Sequence, residues 1–237
     1  MASRAAIIED LARIEGKAEI VNGELVLISA ASYRHGRTSG RIFARLLAYE
    51  ERTHRGYALP DNVGFVVNLE HRRSFSPDAA FAHQPVTDDF VDGAPVFAVE
   101  VRSREDYGPI AERAMAEKRA DYFAAGTQVV WDVDTLKDHV IRAYRASDPE
   151  APRIFHRGDL ADAEPALPGW SMPVDDLFSS YKLEPAGPRL DDPTRSGQPS
   201  RVRPPPHRNA LAHRVGNAVG LRRRSRLVAV GPESEMP

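Results

Sequence analysis

The chain has 237 residues, of which 42% are hydrophobic and 28% are charged, and it contains no cysteine. This composition predicts one ordinary domain with some additional length, and it excludes disulfide scaffolds, thiolate metal sites and cysteine nucleophiles. No apolar stretch approaches the roughly 18 residues of a membrane span, and Glu9, Asp10 and Arg13 interrupt the short apolar run near the N-terminus. We therefore expect a cytoplasmic protein without a membrane segment.

Charge and proline content both change near residue 184. The segment 184–237 holds ten Arg against five Asp or Glu, together with nine of the 19 Pro. Residues 1–183 are acidic, with 22 Lys or Arg against 29 Asp or Glu. Because the segment 184–237 lacks apolar periodicity, we predict a folded domain over 1–183 and a disordered, Pro- and Arg-rich tail over 184–237. An acidic domain argues against coating nucleic acid through bulk charge, although carboxylates gathered around a divalent metal would give the same balance.

The first half of the domain predicts a hairpin, a helix and three strands. Asn22 and Gly23 stand between two short apolar runs, which is typical of a hairpin with a two-residue turn. Ile42 and Leu46 recur at helical spacing in a helix that ends near Gly56. Strand patterns follow in "VGFVVNLE", in "DAAFA" and in "VFAVEVR".

The second half predicts a helix and two further strands. The helix runs from about Gly108 to Ala125, and the strands "QVVWDVD" and "HVIRAYR" are joined by a turn over 135–138. The segment "ALPGWSMPVDDLF" indicates a loop with a terminal helical turn. The order of elements predicts a mixed β-sheet flanked by helices, in the α/β or α+β class.

Two carboxylates occupy unusual places in these strands. Asp78 follows Pro77, which can only open a strand or lie at an edge, so Asp78 is expected where the sheet meets solvent. In "VFAVEVR", alternation puts Glu100 and Arg102 on one face and Phe97 on the other. A carboxylate inside an apolar strand needs a positive partner, which is either a metal ion or a basic residue such as Arg102.

The helix after this strand carries one charge on its apolar stripe. At about 100° per residue, Lys118 aligns with Met115, Tyr122 and Ala125, whereas the other charged residues of the helix point elsewhere. Lys118 is therefore either a snorkelling lysine at the edge of the stripe or a cation delivered beside Glu100.

Asp, Glu and Lys together suit phosphodiester hydrolysis, in which a divalent metal held by hard oxygen ligands acidifies a water. Pro-Asp, about twenty residues and then Glu-x-basic is the pattern of the PD-(D/E)XK nuclease superfamily. The segments "AEIVNGELVLISAASYRHGRTSG", "FSPDAAFA", "APVFAVEVRSRED", "EKRADYFAAGTQVVWDVD" and "ALPGWSMPVDDLF" together resemble the Uma family of restriction endonucleases in that superfamily, over residues 7–180.

The resemblance implies a restriction-endonuclease-like core in which Asp78 and Glu100 bind Mg²⁺ or Mn²⁺ and Lys118 supplies a catalytic cation. The usual strand lysine is replaced by Arg102, which stays protonated and could act only as a clamp on a phosphate.

The resemblance also marks two auxiliary candidates, Glu24 and His35, and the helical stripe gives a third. Glu24 is either an auxiliary acid or a solvated strand residue. His35 either contacts substrate or supports the metal site, or it caps the long helix. Tyr122 lies on the same helical stripe as Lys118 and is the third auxiliary candidate.

The leading hypothesis is a metal-dependent endonuclease that cuts DNA, expected as a homodimer because a domain of this size needs two copies to cut both strands. One alternative is a nuclease-like fold without catalysis, which would bind nucleic acid or act in regulation. A second alternative is a buried ion-pair network of Glu100, Arg102 and Lys118 with no metal.

Overall fold

The computed structural model describes residues 5–178, so the tail predicted over 184–237 lies outside the described residues. The helices are α1 (Ile8–Leu11), α2 (Tyr33–Thr53) and α3 (Pro109–Ala124), with a 3₁₀ helix over Val174–Leu177. The strands of the first half are β1 (Lys17–Val21), β2 (Glu24–Ile28), β3 (Tyr57–Leu59), β4 (Phe65–Val66), β5 (Ser74–Phe75) and β6 (Ala79–Ala82). Those of the second half are β7 (Val91–Asp92), β8 (Phe97–Val101), β9 (Val129–Asp134), β10 (Val140–Arg145), β11 (Asp148–Phe155), β12 (Leu160–Asp162) and β13 (Ser171–Pro173).

A six-stranded mixed sheet forms the centre of the domain, in the order β11-β10-β9-β8-β6-β3. Strands β8 and β9 are parallel, and the other neighbours in this sheet are antiparallel. Parallel neighbours need a long crossover, which helix α3 provides between β8 and β9. The predicted class, a mixed sheet flanked by helices, is confirmed. Within residues 5–178, no helix has the length and apolar character required to cross a membrane.

Both faces of the central sheet are covered. On one face, Ile42 and Leu46 of α2 belong to the same apolar core as Phe97, Val99 and Trp131. On the other face, the cluster comprises buried residues of β4 to β6, β8, α3 and β9, namely Phe65, Phe75, Ala80, Ala98, Tyr122 and Val130. The alternation predicted for β8 is thus observed, and Glu100 lies on the face that α3 covers.

The N-terminal hairpin forms as predicted. Strands β1 and β2 pair antiparallel around Asn22 and Gly23, whose φ angles are 52° and 74°. Two successive positive φ angles define the turn whose twist matches that of the strands, and Asn-Gly is the pair that adopts it at the lowest cost.

The strand predicted over "VGFVVNLE" is much shorter than expected. Only Phe65–Val66 is strand, and it belongs to a separate three-stranded sheet, β5-β4-β7. The chain turns back directly afterwards, because the Val67 amide donates to the Arg73 carbonyl and the Leu69 amide to the Arg72 carbonyl. The apolar run is therefore divided between a strand and a turn.

Strand β11 has no strand pattern in the sequence, because Asp148–Phe155 contains Pro149 and Pro152. It lies at the edge of the central sheet, where a residue without a backbone N–H is tolerated.

Replacing Phe97 by Ala should lower the free energy of unfolding by about 3–5 kcal/mol, because it opens a cavity beneath α2. Phe97 is fully buried, and its ring centroid lies 5.2 Å from that of Trp131 and 5.7 Å from that of Trp170. Urea denaturation measures the change. Ile110→Ala, at a residue that is 87% exposed, is the control and should stay within about 0.5 kcal/mol of wild type. Equal losses in both variants would contradict this placement of the core.

Candidate active site

A cavity of about 1240 Å³ opens on the face of the sheet that α3 covers. Its walls include the start of β1, the first turn of α2, the residue before β6, the end of β8 and the middle of α3. Six of the charged or titratable side chains that line it are connected by ion pairs or by an effect on a neighbour's pKa. They are Lys17, His35, Asp61, Asp78, Glu100 and Lys118. Four of these six were candidates from the sequence, whereas Lys17 and Asp61 were not.

Asp78 is fixed at the start of β6 by backbone and side-chain contacts. The Val101 amide donates to its Oδ2 at 2.8 Å, and the same oxygen lies 3.1 Å from His35 Nε2. Lys17 Nζ donates to Oδ1 at 2.6 Å. Burial alone would raise the pKa of Asp78, but the hydrogen bond from His35 and the charge of Lys17 outweigh it and hold that pKa well below its usual range. The carboxylate is therefore ionised at neutral pH.

The pKa of Glu100 is shifted in the opposite direction to that of Asp78. Tyr122 Oη donates to its Oε1 at 2.7 Å, and Lys118 Nζ donates to Oε2 at 2.9 Å. Burial raises the pKa of Glu100, Lys118 lowers it, and the negative charges of Asp78 and Glu19 raise it again, so that the pKa lies above its usual value. Asp78 and Glu100 are thus close enough to repel each other, which a shared cation would relieve.

Lys118 lies between two carboxylates. Its Nζ is 2.9 Å from Glu100 and 2.9 Å from Glu19 Oε1, which confirms the expectation that α3 delivers this lysine beside Glu100. Burial lowers the pKa of Lys118, but both carboxylates outweigh burial and raise it above its usual value. Lys118 is therefore a fixed cation in this arrangement.

Glu19 was missed by sequence reasoning, and Glu24 is the solvated strand residue of its two alternatives. Glu24 is exposed, whereas the Glu19 side chain is only 6% exposed and its Oε1 lies 2.9 Å from Lys118 Nζ. Arg72 Nη1 donates to Glu19 Oε2 at 2.7 Å, and the Ser76 amide donates to Oε1 at 2.9 Å. Burial raises the pKa of Glu19, but Lys118 and Arg72 outweigh it and lower that pKa.

A signal for Glu19 was available in the sequence. Lys17 and Glu19 lie on the same face of the strand "KAEIV", and opposite charges two positions apart in a short apolar strand favour a covered polar site.

The structure brings the His35 side chain to Asp78, and the cap of α2 is Ser32 and not His35. Ser32 caps α2 by accepting from the His35 backbone amide at 3.4 Å, while the imidazole Nε2 faces Asp78. The hydrogen bond to Asp78 raises the pKa of His35, and burial opposes this with a smaller effect.

Tyr122 is a fully buried residue of the cavity wall and holds Glu100 in place. Its ring stacks on Phe75 with centroids 4.0 Å apart, and its hydroxyl donates to Glu100. Burial, and then the charge of Glu100, raises the pKa of Tyr122, so that it remains a hydrogen-bond donor.

Arg102 does not join this cluster, so the alternatives in which Arg102 pairs with Glu100, alone or in a network with Lys118, are wrong. Arg102 Nε and Nη2 donate to Asp132 at 2.7 Å each, and its guanidinium also binds Glu112 of α3. Its side chain is 5% exposed and does not line the cavity. The reason is geometric: the parallel register puts Asp132 beside Glu100 on the neighbouring strand, within reach of Arg102. With two carboxylates bound to it, this arginine is not available to clamp a phosphate.

The donor set fits a hydrated divalent ion. Within residues 5–178, no three or more His, Asp and Glu side chains form a group that could hold a metal by themselves. Asp78 and Glu100 nevertheless line one cavity, and the negative charge of Asp78 raises the pKa of Glu100. Mg²⁺ usually keeps several of its waters and needs only one or two carboxylates, so these two side chains could hold it, or Mn²⁺ in its place.

Replacing Arg102 by Met should lower the free energy of unfolding by about 3–5 kcal/mol, because Asp132, only 1% exposed, would be left buried without its cation. Thermal or urea unfolding measures the change. Arg153→Met is the matched control, since Arg153 is 61% exposed in its ion pair with Asp162 and should contribute less than about 1 kcal/mol. A loss no larger than that of the control would show that Arg102 is not bound as described.

His35 should make the stability of the protein depend on pH. Its pKa is raised on folding, so its contribution is fully present below the unfolded value of about 6.5 and is lost as pH rises through the folded pKa. The difference in unfolding free energy between wild type and His35→Gln should therefore be largest in mild acid and shrink toward alkaline pH. Urea unfolding at a series of pH values tests this, and a difference that grows with pH would contradict it.

Comparison with known proteins gives a family and a fold. The sequence profile of the family described as "Uma2: Putative restriction endonuclease" matches residues 8–175. The crystal structure described as that of "a putative nuclease belonging to DUF820" from Anabaena variabilis ATCC 29413 superposes with a TM-score of 0.58 at 14% identity. The superposition covers 73% of this chain and 97% of that chain, and it shows a shared fold. No curated protein matches this chain in sequence.

Proposed function

The chain belongs to the Uma2 family of restriction endonucleases, and on this premise we propose that it is a metal-dependent endonuclease that hydrolyses phosphodiester bonds in DNA. The family description supports a nuclease. The observation that carries the proposal is the cavity that Asp78 and Glu100 both line, in which the charge of Asp78 acts on Glu100 and Lys118 Nζ lies 2.9 Å from Glu100.

The proposal assigns metal binding to Asp78 and Glu100. A bound Mg²⁺ or Mn²⁺ ion would neutralise charge on the phosphate and acidify a water. Asp78 is suited to this task because its carboxylate is ionised and its Oδ2 is oriented by the Val101 amide and by His35. Glu100 is oriented by the Tyr122 hydroxyl, so that both carboxylates are positioned before a ligand enters the cavity.

Lys118 contributes a positive charge in this proposal. Its raised pKa keeps the ammonium protonated, so it can stabilise negative charge that develops on the phosphate, and in this state it cannot accept a proton from water. Glu19 holds the ammonium from the opposite side, which limits its freedom to move before the reaction. Arg102 then serves to anchor the start of α3 through Glu112, and it has no direct part in the chemistry.

DNA as the substrate and a homodimer as the assembly belong to the same proposal. DNA is proposed as the substrate because the family description is that of a restriction endonuclease. One cavity of this kind can cut one strand at a time, so a second copy would be needed to cut both strands at one position.

The proposal predicts cleavage of supercoiled plasmid in Mg²⁺ or Mn²⁺ and none in EDTA. The double variant Asp78→Ala with Glu100→Ala should reduce cleavage to background, because it removes both proposed metal ligands. Gel analysis of plasmid and single-stranded DNA measures the effect. The matched control replaces two exposed carboxylates of β11, Asp148→Ala with Glu150→Ala, and should cleave as wild type does.

Cleavage that persists in the Asp78 and Glu100 double variant would contradict the site assignment. Cleavage by neither the wild type nor the variants, with each protein folded, would favour the alternative of a nuclease-like fold that binds nucleic acid without cutting it.

A further inference from the structure

Lys17 is a second buried cation of the cavity, and the proposed chemistry above does not use it. Its Nζ lies 2.6 Å from Asp78 Oδ1 and 2.7 Å from Asp61 Oδ1, and its side chain is 12% exposed. Burial lowers the pKa of Lys17, but Asp78 and Glu100 outweigh burial and raise it, so the ammonium is charged at neutral pH. One carboxylate of the proposed metal site is thus already neutralised by the protein itself.

The contacts of Asp78 are divided between its two oxygens. Oδ2 accepts from the Val101 amide and faces His35, while Oδ1 faces Lys17. A cation that approaches Asp78 without disturbing the backbone contact would therefore meet Lys17 at Oδ1.

Lys17 also has a second partner that could retain it. The Asp61 side chain is 33% exposed, so an ammonium released from Asp78 can stay on Asp61 at the edge of the cavity. Lys118 differs, because its partner other than Glu100 is Glu19, which is only 6% exposed and is also bonded to Arg72 and to the Ser76 amide. Of these two lysines, Lys17 is the one with a second partner at the edge of the cavity.

We propose that Lys17 is a resident counter-ion of Asp78, which occupies the carboxylate in the absence of a divalent cation and competes with that cation for it. The inference rests on the proposed function, since it requires a divalent ion at Asp78. The counter-ion explains why the Asp78 carboxylate, which is only 6% exposed, can stay ionised without metal. Competition between this counter-ion and the metal makes Lys17 a determinant of metal affinity.

Two readings of the ion pair between Lys17 and Asp78 predict opposite results. A counter-ion that competes with metal lowers metal affinity, so that its removal should tighten binding. A purely structural ion pair orients Asp78, so that its removal should weaken metal binding or leave it unchanged.

Calorimetric titration of Mn²⁺ into the full chain at neutral pH separates these readings without using catalysis. Lys17→Met should bind Mn²⁺ with a Kd about tenfold lower than wild type, because the competing ammonium is gone. Lys17→Arg keeps the charge and should stay near wild type. Lys137→Met, whose ammonium lies 3.8 Å from the centroid of the Tyr107 ring, is the matched control and should bind as wild type does.

Lys17→Gln is a second neutral variant, to be used if Lys17→Met does not fold. Its side-chain amide can still donate hydrogen bonds to Asp61 and Asp78. It should tighten Mn²⁺ binding in the same direction, and circular dichroism and urea unfolding confirm that each variant is folded. Tighter binding by a neutral variant supports the inference even if wild type binds Mn²⁺ too weakly to measure.

Wild-type binding that becomes no tighter in either neutral variant would overturn the inference and leave the proposed function standing. Absence of Mn²⁺ binding in wild type and in both neutral variants would overturn the inference together with the metal dependence of the proposed function.

Discussion

The contact of Lys118 with Glu100 and Glu19 is the constraint on which the rest of the site depends. The three side chains come from α3, β8 and β1, so one ammonium joins the crossover helix, the central sheet and the N-terminal hairpin. A buried carboxylate without a positive partner is strongly unfavourable. The hairpin, the sheet and the helix must therefore meet in one arrangement for these charges to be balanced.

Contacts of Arg72 and Arg102 fix helix α3 in this arrangement. Arg72 bridges Glu19 and Asp121, its guanidinium carbon lies 5.0 Å from the centroid of the Phe75 ring, and that ring stacks on Tyr122. At the other end of α3, Arg102 connects the helix to β8 and β9 through Glu112 and Asp132. The helix that carries Lys118 is thus tied at two places, and such support is what keeps a site in its working geometry before substrate binds.

The two carboxylates of the cavity differ because their surroundings differ. Burial would raise the pKa of Asp78, but the hydrogen bond from His35 and the charge of Lys17 outweigh it, so this pKa is low. Burial raises the pKa of Glu100, which shares Lys118 with Glu19 and also experiences the negative charge of Asp78, so this pKa stays raised. A cation shared by both would remove this imbalance, which connects the electrostatics of the cavity to the proposed metal chemistry.

The sequence by itself determined the fold class and the hairpin at Asn22 and Gly23, and it put Lys118 on the apolar stripe of its helix, with contact to Glu100 as one of two alternatives. These follow from local periodicity, since strand alternation and the apolar stripe of a helix depend only on neighbours along the chain. The tertiary structure alone decided the remaining contacts. Glu19 rather than Glu24 reaches Lys118, Lys17 balances Asp78, and Arg102 binds Asp132, because each of these pairs joins residues of different elements that only the packing of the hairpin, the sheet and α3 brings together.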